Sequence, residues 1–569
     1  MTAVATTGLA PRGRKLPQLL GIWSLGYLLL VLGPAWRVVR HFTSELAGNG
    51  GDAWQNLWNM EWVAYALQHG QNPYVTNWLH HPHGTTLLFH TLSPANALLA
   101  WPLAALMGQP AAYNAVFLFA FVAAGSCMAL LAFELGTGAW PAFVGGAIFT
   151  LSPYHFAHSM GHLNLTAMQW VPLFLWCVVR FFRAPSYRRG LSMGAVLALV
   201  TFTDLYYLWF AGVMATVIAV AEAWQQRAAL LRAHVFKTFA AGVLVFLVSG
   251  GVLLGAVLWS YPTAGLVTAH QASMWGADMM AYLVPNWISA WQAPFAVWQA
   301  RWGGNQAENS QYLGYVAMTL AGFGWLRPSG VRPWRYLTLF GIGVLLSLGP
   351  VLHWGGQAIT WMPMPYRAVE GLLPILKLSG APTRWCFVAV TALPVLAAFG
   401  VRALLTQVGA RRWGPVSQRA GVAVAVLGLV VAEFWPRSIE TRATTQPGFI
   451  TVLAQDPRAG AVYDQGGAGL ALFHQLGHRR PLIGGYISRE TEAARGFVAQ
   501  TPVLQALRGE RLLASAYVSD AAAALGLRFV IVPRAAGQAK RLAEQGLLLW
   551  ERGGGYELWE IPWPPQALP

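Results

Sequence analysis

Eleven apolar runs recur through the first three quarters of the chain, at about 17–36, 91–107, 111–135, 167–183, 190–205, 206–223, 238–260, 312–326, 336–350, 384–403 and 420–435. Crossing the ~30 Å hydrocarbon layer of a bilayer takes about 20 apolar residues in a helix. In that solvent every backbone N–H and C=O must be satisfied within the segment, so runs of this kind fold as helices. Composition agrees: of 569 residues 56% are hydrophobic and only 10% charged, where soluble domains carry about 25%. The expected fold class is a polytopic α-helical membrane protein of about eleven transmembrane helices.

The formal net charge of +16 is that of many nucleic-acid binders, yet the cations lie in short loops between apolar runs, so no nucleic-acid partner is expected. Placing the N-terminus in the cytoplasm puts seventeen Lys and Arg inside, from Arg12, Arg14 and Lys15 to Arg411, Arg412 and Arg419. Six fall outside before the tail: Arg37, Arg40, Arg301, Arg367, Lys377 and Arg384. That asymmetry sets the orientation. The first run is too long for a signal peptide and lacks a small-x-small cleavage site, so it reads as an uncleaved anchor. Cys127, Cys177 and Cys386 all lie in apolar runs and read as packing residues. The short run 138–153 spoils the parity if it crosses; it is expected to re-enter from outside, covered by protein. Beyond residue 436 the pattern breaks into short strand-like runs, AGAVYDQ, LRFVIVP and YELWEIP, between helix-like stretches. The expected domains are 1–436 in the membrane, with 37–90 as a long first outer loop, and 437–569 as a small extracytoplasmic α/β domain.

On this topology nine of the ten carboxylates before the tail lie at outer helix ends or in outer loops, and only Glu222 lies inside. Charges near a membrane cost free energy unless solvated or paired, and so mark candidate cavities. Asp52 follows the glycine turn GNGG and opens a helical stretch with Trp54, Leu57, Trp58, Trp62 and Ala66 on one stripe. The expectation is an interfacial helix, indoles at headgroup depth and Gln55, Asn56 and Asn59 facing water. Asp52 serves there as helix cap, as catalytic acid or base, or as both.

His80, His81, His83 and His90 crowd the rest of that loop, without HExxH or CxxC spacing. They suit hydrogen bonds to sugar hydroxyls or phosphate better than a zinc site. A second outer cluster holds His155, His158, His162 and Asn164; Asp204 stands with Tyr206 and Tyr207, and the third long loop carries Asp278 and Glu308. Of these, His81, His83, His162, Asn164, Asp204, Asp278 and Glu308 are the candidate substrate-binding residues. Arg367, Lys377 and Arg384 join them as cations at headgroup height suited to a phosphate.

Together these segments resemble the GT-C class of membrane glycosyltransferases, which includes the protein O-mannosyltransferases and the aminoarabinose transferases of lipid A. The resemblance rests on Asp52 in GNGGDAWQNLW, on GQNPYV and HPHGTTLL before the next span, and on GHLNL, ENSQYLGY, LSLGP, PMPYR and APTRW. It implies a polyprenyl-phosphate-linked sugar donor, transfer on the non-cytoplasmic face of the bacterial inner membrane, and a glycan, lipid or protein acceptor. It makes the first-loop acid, Asp52, a general base or a metal-binding residue. Many relatives carry paired acids there, whereas the next acid here is Glu61, so a divalent metal and a second catalytic acid stay open. The chemistry stands without the family: a base deprotonates the acceptor, and cations stabilise the departing lipid phosphate. No Gly-rich nucleotide loop appears on the cytoplasmic side. The alternatives are a transporter or flippase, which would show internal repeats and midplane charges, and a non-catalytic scaffold.

Overall fold

A computed structural model of the chain describes residues 16–230, 232–267, 271–328, 333–373, 376–377, 380–410 and 416–564, without the side chains of 225–230, 409–410 and 416–417. Arg12, Arg14, Lys15, Arg332, Arg411, Arg412 and the side chain of Arg227 lie outside the described residues. The chain forms two compact units. One comprises Met1–Arg40, Asn114–Leu254 and Thr268–Glu440; the other comprises His41–Tyr113, Gly255–Val267 and Thr441–Pro569.

Among the described residues, Gln109–Glu134, Leu163–Arg183, Leu205–Trp224 and Pro382–Val408 are each long and apolar enough to cross a membrane, and the broken pair Ala233–Leu247 and Gly250–Thr263 makes a fifth. Leu16–Leu32, Pro94–Met107, Ala139–Thr150, Tyr315–Leu326 and Trp334–Ser347 are apolar but shorter. The chain is a multi-pass membrane protein. Backbones in the first unit approach closely through glycine, as small residues allow in membrane helix pairs. A Cβ on Gly190 or Gly194 would lie 2.0 Å from a carbonyl oxygen of the facing helix Ala233–Leu247.

One expectation of sidedness is corrected here. The sequence reading sets Glu134 outside and Arg180 and Arg183 inside. In the structure Arg183 Nη1 lies 3.1 Å from Glu134 Oε1 and Arg180 Nε lies 3.9 Å from Oε2, while Arg402 donates to the Gly136 carbonyl. These ends share one side. The reason is the path of 138–153. It forms a helix, Ala139–Thr150, buried throughout Pro141–Thr150, and it runs back along Gln109–Glu134. Gly146 sits against the Gly125 carbonyl, and Thr150 Oγ1 donates to the Phe121 carbonyl at 2.6 Å. Twelve residues rise only ~18 Å, and Pro153–Ser159 continues beside Phe121, whose ring lies 3.9 Å from that of His155. The segment thus leads away from the Glu134 corner along Gln109–Glu134 rather than dipping in and returning to that corner.

The second unit is built on a four-stranded sheet. Ala461–Asp464 runs parallel to Leu527–Pro533; Tyr556–Glu560 lies antiparallel to that strand and pairs on its other side with Leu548–Gly553. Val503, Leu504, Leu507 and Val518 pack from the helices onto Val530, Val532 and Trp559. Residues His41–Tyr113 belong to this unit. Glu45–Ala47 pairs antiparallel with Thr441–Ala443, and Pro94–Met107, read from sequence as a span, packs on the helix Asp52–Gln68.

That helix is where expectation and structure part most. Trp54, Trp58 and Trp62 are buried in protein, and so are Gln55, Asn56 and Asn59. Trp54 stacks on Phe473 at 4.2 Å, Trp58 donates to Gln475 Oε1 at 2.7 Å, and Trp62 donates to the Pro73 carbonyl at 2.9 Å. The interfacial placement is therefore corrected. The indoles face the helix Ala468–His478 and Trp78, leaving no side of the helix to lie on a bilayer.

Candidate functional site

The Asp52 corner begins with backbone conformation. Gly48, Gly50 and Gly51 all take positive φ (118°, 92° and 53°), a region closed to most side chains. Gly51 also packs so tightly that a Cβ on Gly469 would sit 2.3 Å from its carbonyl oxygen. The turn delivers Asp52 as the first residue of the helix, with Gly51 at the cap position and no side-chain capping bond. The cap reading of Asp52 is thus replaced by a first-turn acid, half-buried, in the positive end of the helix dipole.

A polar network holds this helix. His90 Nδ1 accepts the Ser488 backbone N–H at 3.0 Å, which fixes the proton on Nε2, and Nε2 then donates to Asn59 Oδ1 at 2.9 Å. Gln55 Nε2 donates to Thr91 Oγ1 at 2.8 Å and to Ser488 Oγ at 3.0 Å. Burial drives the His90 pKa down to about 3; Asp52 opposes this from within electrostatic reach and Arg489 reinforces it. His90 is therefore neutral at pH 7 and does not cancel the Asp52 charge. The hydroxyl of fully buried Tyr113 also lies within electrostatic reach of Asp52. Glu61 does not stand by Asp52 as a second acid. It lies ~13 Å further along the helix, paired with Arg479 Nη2 at 2.6 Å and accepting from Gln109.

His81 and His83 do not converge on this corner. The His81 backbone N–H donates to the Leu482 carbonyl at 2.9 Å and its ring packs over Gly526, while exposed His83 sets its ring edge-on to Phe497 at 5.0 Å. Among the described residues no three His, Cys, Asp or Glu side chains gather as a metal site.

In the membrane unit four separate segments meet at a second cluster. Glu308 is 3% exposed; its Oε1 accepts from Arg384 Nε at 2.9 Å and its Oε2 from Thr383 Oγ1 at 3.1 Å. Burial alone would raise its pKa, but Arg384 and then His158 outweigh burial and hold the carboxyl at about 2. His158 Nδ1 faces His162 Nδ1 at 3.4 Å. The Arg384 guanidinium covers the Tyr206 ring at 4.6 Å, and the Tyr206 backbone N–H donates to Asp204 Oδ1 at 2.7 Å. Asp204 Oδ2 accepts from Asn164 Nδ2 at 2.6 Å. His162, Asn164, Asp204, Glu308 and Arg384 thus form one constellation. His158 and Tyr206, which the sequence reading names but does not choose, belong to it.

Asp278 lies elsewhere and is occupied by backbone. It accepts from Met280 N at 2.8 Å, Gly355 N at 3.0 Å and Gly356 N at 2.7 Å, tying the hairpin Leu352–Ile359 to its own loop. Of the three cations expected at headgroup height to meet a phosphate, Arg384 is instead largely buried and paired with Glu308. Arg367 and Lys377 are exposed, and Arg367 Nε donates to the Pro350 carbonyl at 2.8 Å.

Comparison with known proteins fits this architecture. A mycobacterial arabinofuranosyltransferase, AftD, superposes with a TM-score of 0.60 at 14% identity, over 98% of this chain and 41% of that one. The chain spans about two fifths of the length of that relative. The Archaeoglobus fulgidus oligosaccharyltransferase, tethered to an acceptor peptide, gives 0.50 at 10% identity over 98% of this chain and 75% of its own. ArnT from Cupriavidus metallidurans, bound to undecaprenyl phosphate, gives 0.48 at 12% identity over 97% and 100%. No curated protein sequence matches. Residues 24–431 match the family model described as a domain of unknown function, DUF6311. The chain, a multi-pass membrane protein with a GT-C fold, therefore belongs to the DUF6311 family.

Proposed function

We propose that the protein transfers a sugar from a polyprenyl-phosphate-linked donor to an acceptor hydroxyl on the non-cytoplasmic face of the bacterial inner membrane. The observation that carries this reading is the Asp52 corner. A half-buried carboxylate follows a turn of positive-φ glycines, at the head of a helix held by a polar network, within electrostatic reach of a ring held neutral. A base must be ionised before it can accept a proton, which the helix N-terminus favours, and a neutral His90 leaves the carboxylate's basicity undiminished by a paired cation. Asp52 takes the proton of the acceptor while the lipid phosphate leaves. Exposed Arg367 and Lys377 supply charge-assisted contacts to a phosphate, and the polar edges of His162, Asn164 and Asp204 suit sugar hydroxyls. The GT-C fold shared with an arabinofuranosyltransferase supports sugar transfer.

The same reading keeps eleven crossings with a cytoplasmic N-terminus, though not the same eleven. Pro94–Met107 leaves the count and Ala139–Ser159, as a broken span, enters it. The Asp52 loop and the C-terminal domain then both face outward.

The test uses membranes containing the full chain and radiolabelled polyprenyl-phosphate-linked pentoses and hexoses, following label into glycan, lipid and protein. Wild-type protein is expected to transfer label. Asp52→Asn keeps shape but loses the basic oxygen, and its turnover should fall by about 10²–10⁴-fold with insertion unchanged. An Asn variant with full activity would remove Asp52 from the chemistry.

A further inference from the structure

Arg528 stands at the start of the strand Leu527–Pro533, only 7% exposed. The strand register shifts at this point, with Ala461 opposite Leu527 and Val462 opposite Phe529, so Arg528 is the extra, bulged residue between them, while Leu527, Val530 and Val532 on either side belong to the apolar core of the α/β domain. Among the described residues the Arg528 side chain makes no hydrogen bond, and its buried Nε has no acceptor. The Glu557 carboxylate on the same pleated sheet pairs opposite Val532, four residues or ~13 Å along the strand, and is taken by Arg552 at 2.9 Å and Trp559 at 3.1 Å. Arg480 adds a second positive charge within electrostatic reach of Arg528. Its own donors go to the carbonyls of Leu453, Asp456, Arg458 and Gly460. Glu560, opposite the neighbouring Phe529, is taken by Arg458 at 2.7 Å, so among the described residues no carboxylate pairs with Arg528, and a guanidinium this buried without one is costly.

The surroundings are nonetheless built for it. Trp563 lies under the guanidinium at 4.2 Å, and the indole is pinned by a 2.8 Å bond from Nε1 to the Leu527 carbonyl. Gly460 makes room for the stem: a Cβ there would sit 2.4 Å from Arg528 Cβ. A guanidinium stacked on an indole keeps its in-plane N–H fork available, and that fork matches two oxygens of a phosphate or carboxylate.

We propose that Arg528, on its Trp563 platform, is an oxyanion-binding site of the α/β domain that takes the phosphate or carboxylate group of an anionic ligand. It stands apart from Asp52 and does not depend on the sugar-transfer reading. The full chain in detergent is titrated with inorganic phosphate and, separately, with glucuronate, against sodium chloride of equal ionic strength, while its unfolding temperature is followed. A ligand that binds only the folded state raises that temperature as it saturates. The wild type is expected to respond to one or both anions beyond the chloride control, and the anion that acts identifies the source. Arg528→Gln should abolish the response; Arg528→Lys, which keeps the charge without the fork, should need at least tenfold more anion. No response in the wild type, or an equal response in both variants, overturns the site.

Discussion

His90 shows how one buried ring shapes the behaviour of the unit that holds Asp52. Its ordinary pKa of about 6.5 falls to about 3 on folding, chiefly by burial, and His478 falls to about 3 for the same reason. Between those values the unfolded chain binds protons that the folded unit refuses. The stabilisation is therefore complete above pH ~6.5 and is lost as pH drops toward 3, at up to ~1.4 kcal/mol per pH unit for each ring. The unfolding temperature of the full chain should fall from pH 7.5 to 4.5, and His90→Asn should flatten that fall. Equal slopes in both proteins would mean that His90 is not held neutral. Residue type and neighbouring sequence singled out His162, Asn164, Asp204, Glu308 and Arg384, since polar groups at apolar helix ends need partners. They could not separate Asp278, which has the same composition of neighbours but spends both oxygens on backbone N–H groups.

At the scale of elements, the helix Asp52–Gln68 was legible and its surroundings were not. Indoles at helical spacing fix a helical stripe, but a stripe facing headgroups and one facing another helix read alike. The buried alternative makes a distinct prediction. Trp58 is 0% exposed and bonded to Gln475, so Trp58→Ala should cost about 3–5 kcal/mol of stability, seen as a lower urea midpoint and earlier cleavage in limited proteolysis. An indole serving only as a membrane anchor would leave both unchanged. The helix Ala139–Thr150 follows the same rule: its shortness and its glycines were plain, while whether it returns to the side where it starts depended on Glu134 meeting Arg183.

For the whole molecule the corrected path of the chain is open to labelling in intact cells. If Pro94–Met107 stays with the outer loop, a cysteine at Met107 should react with an impermeant thiol reagent, as should one at Glu510. One at Ala184, beside the Arg183–Glu134 corner, should be protected. Protection at Met107 together with labelling at Ala184 would reverse the assignment.

What the sequence by itself determined was what local physics controls. Apolar length demands helices, and short strand-like runs after residue 436 give a sheet. The glycine turn before Asp52 is equally local, because positive φ is paid for within a residue or two. Only the tertiary structure decided which polar groups face one another: Glu308 with Arg384, His90 with Ser488, Glu61 with Arg479. The partners in those pairs lie 76, 398 and 418 residues apart, and such contacts are chosen by packing between elements rather than by any signal within one. The same holds for Trp58, whose burial was set by a helix 417 residues away.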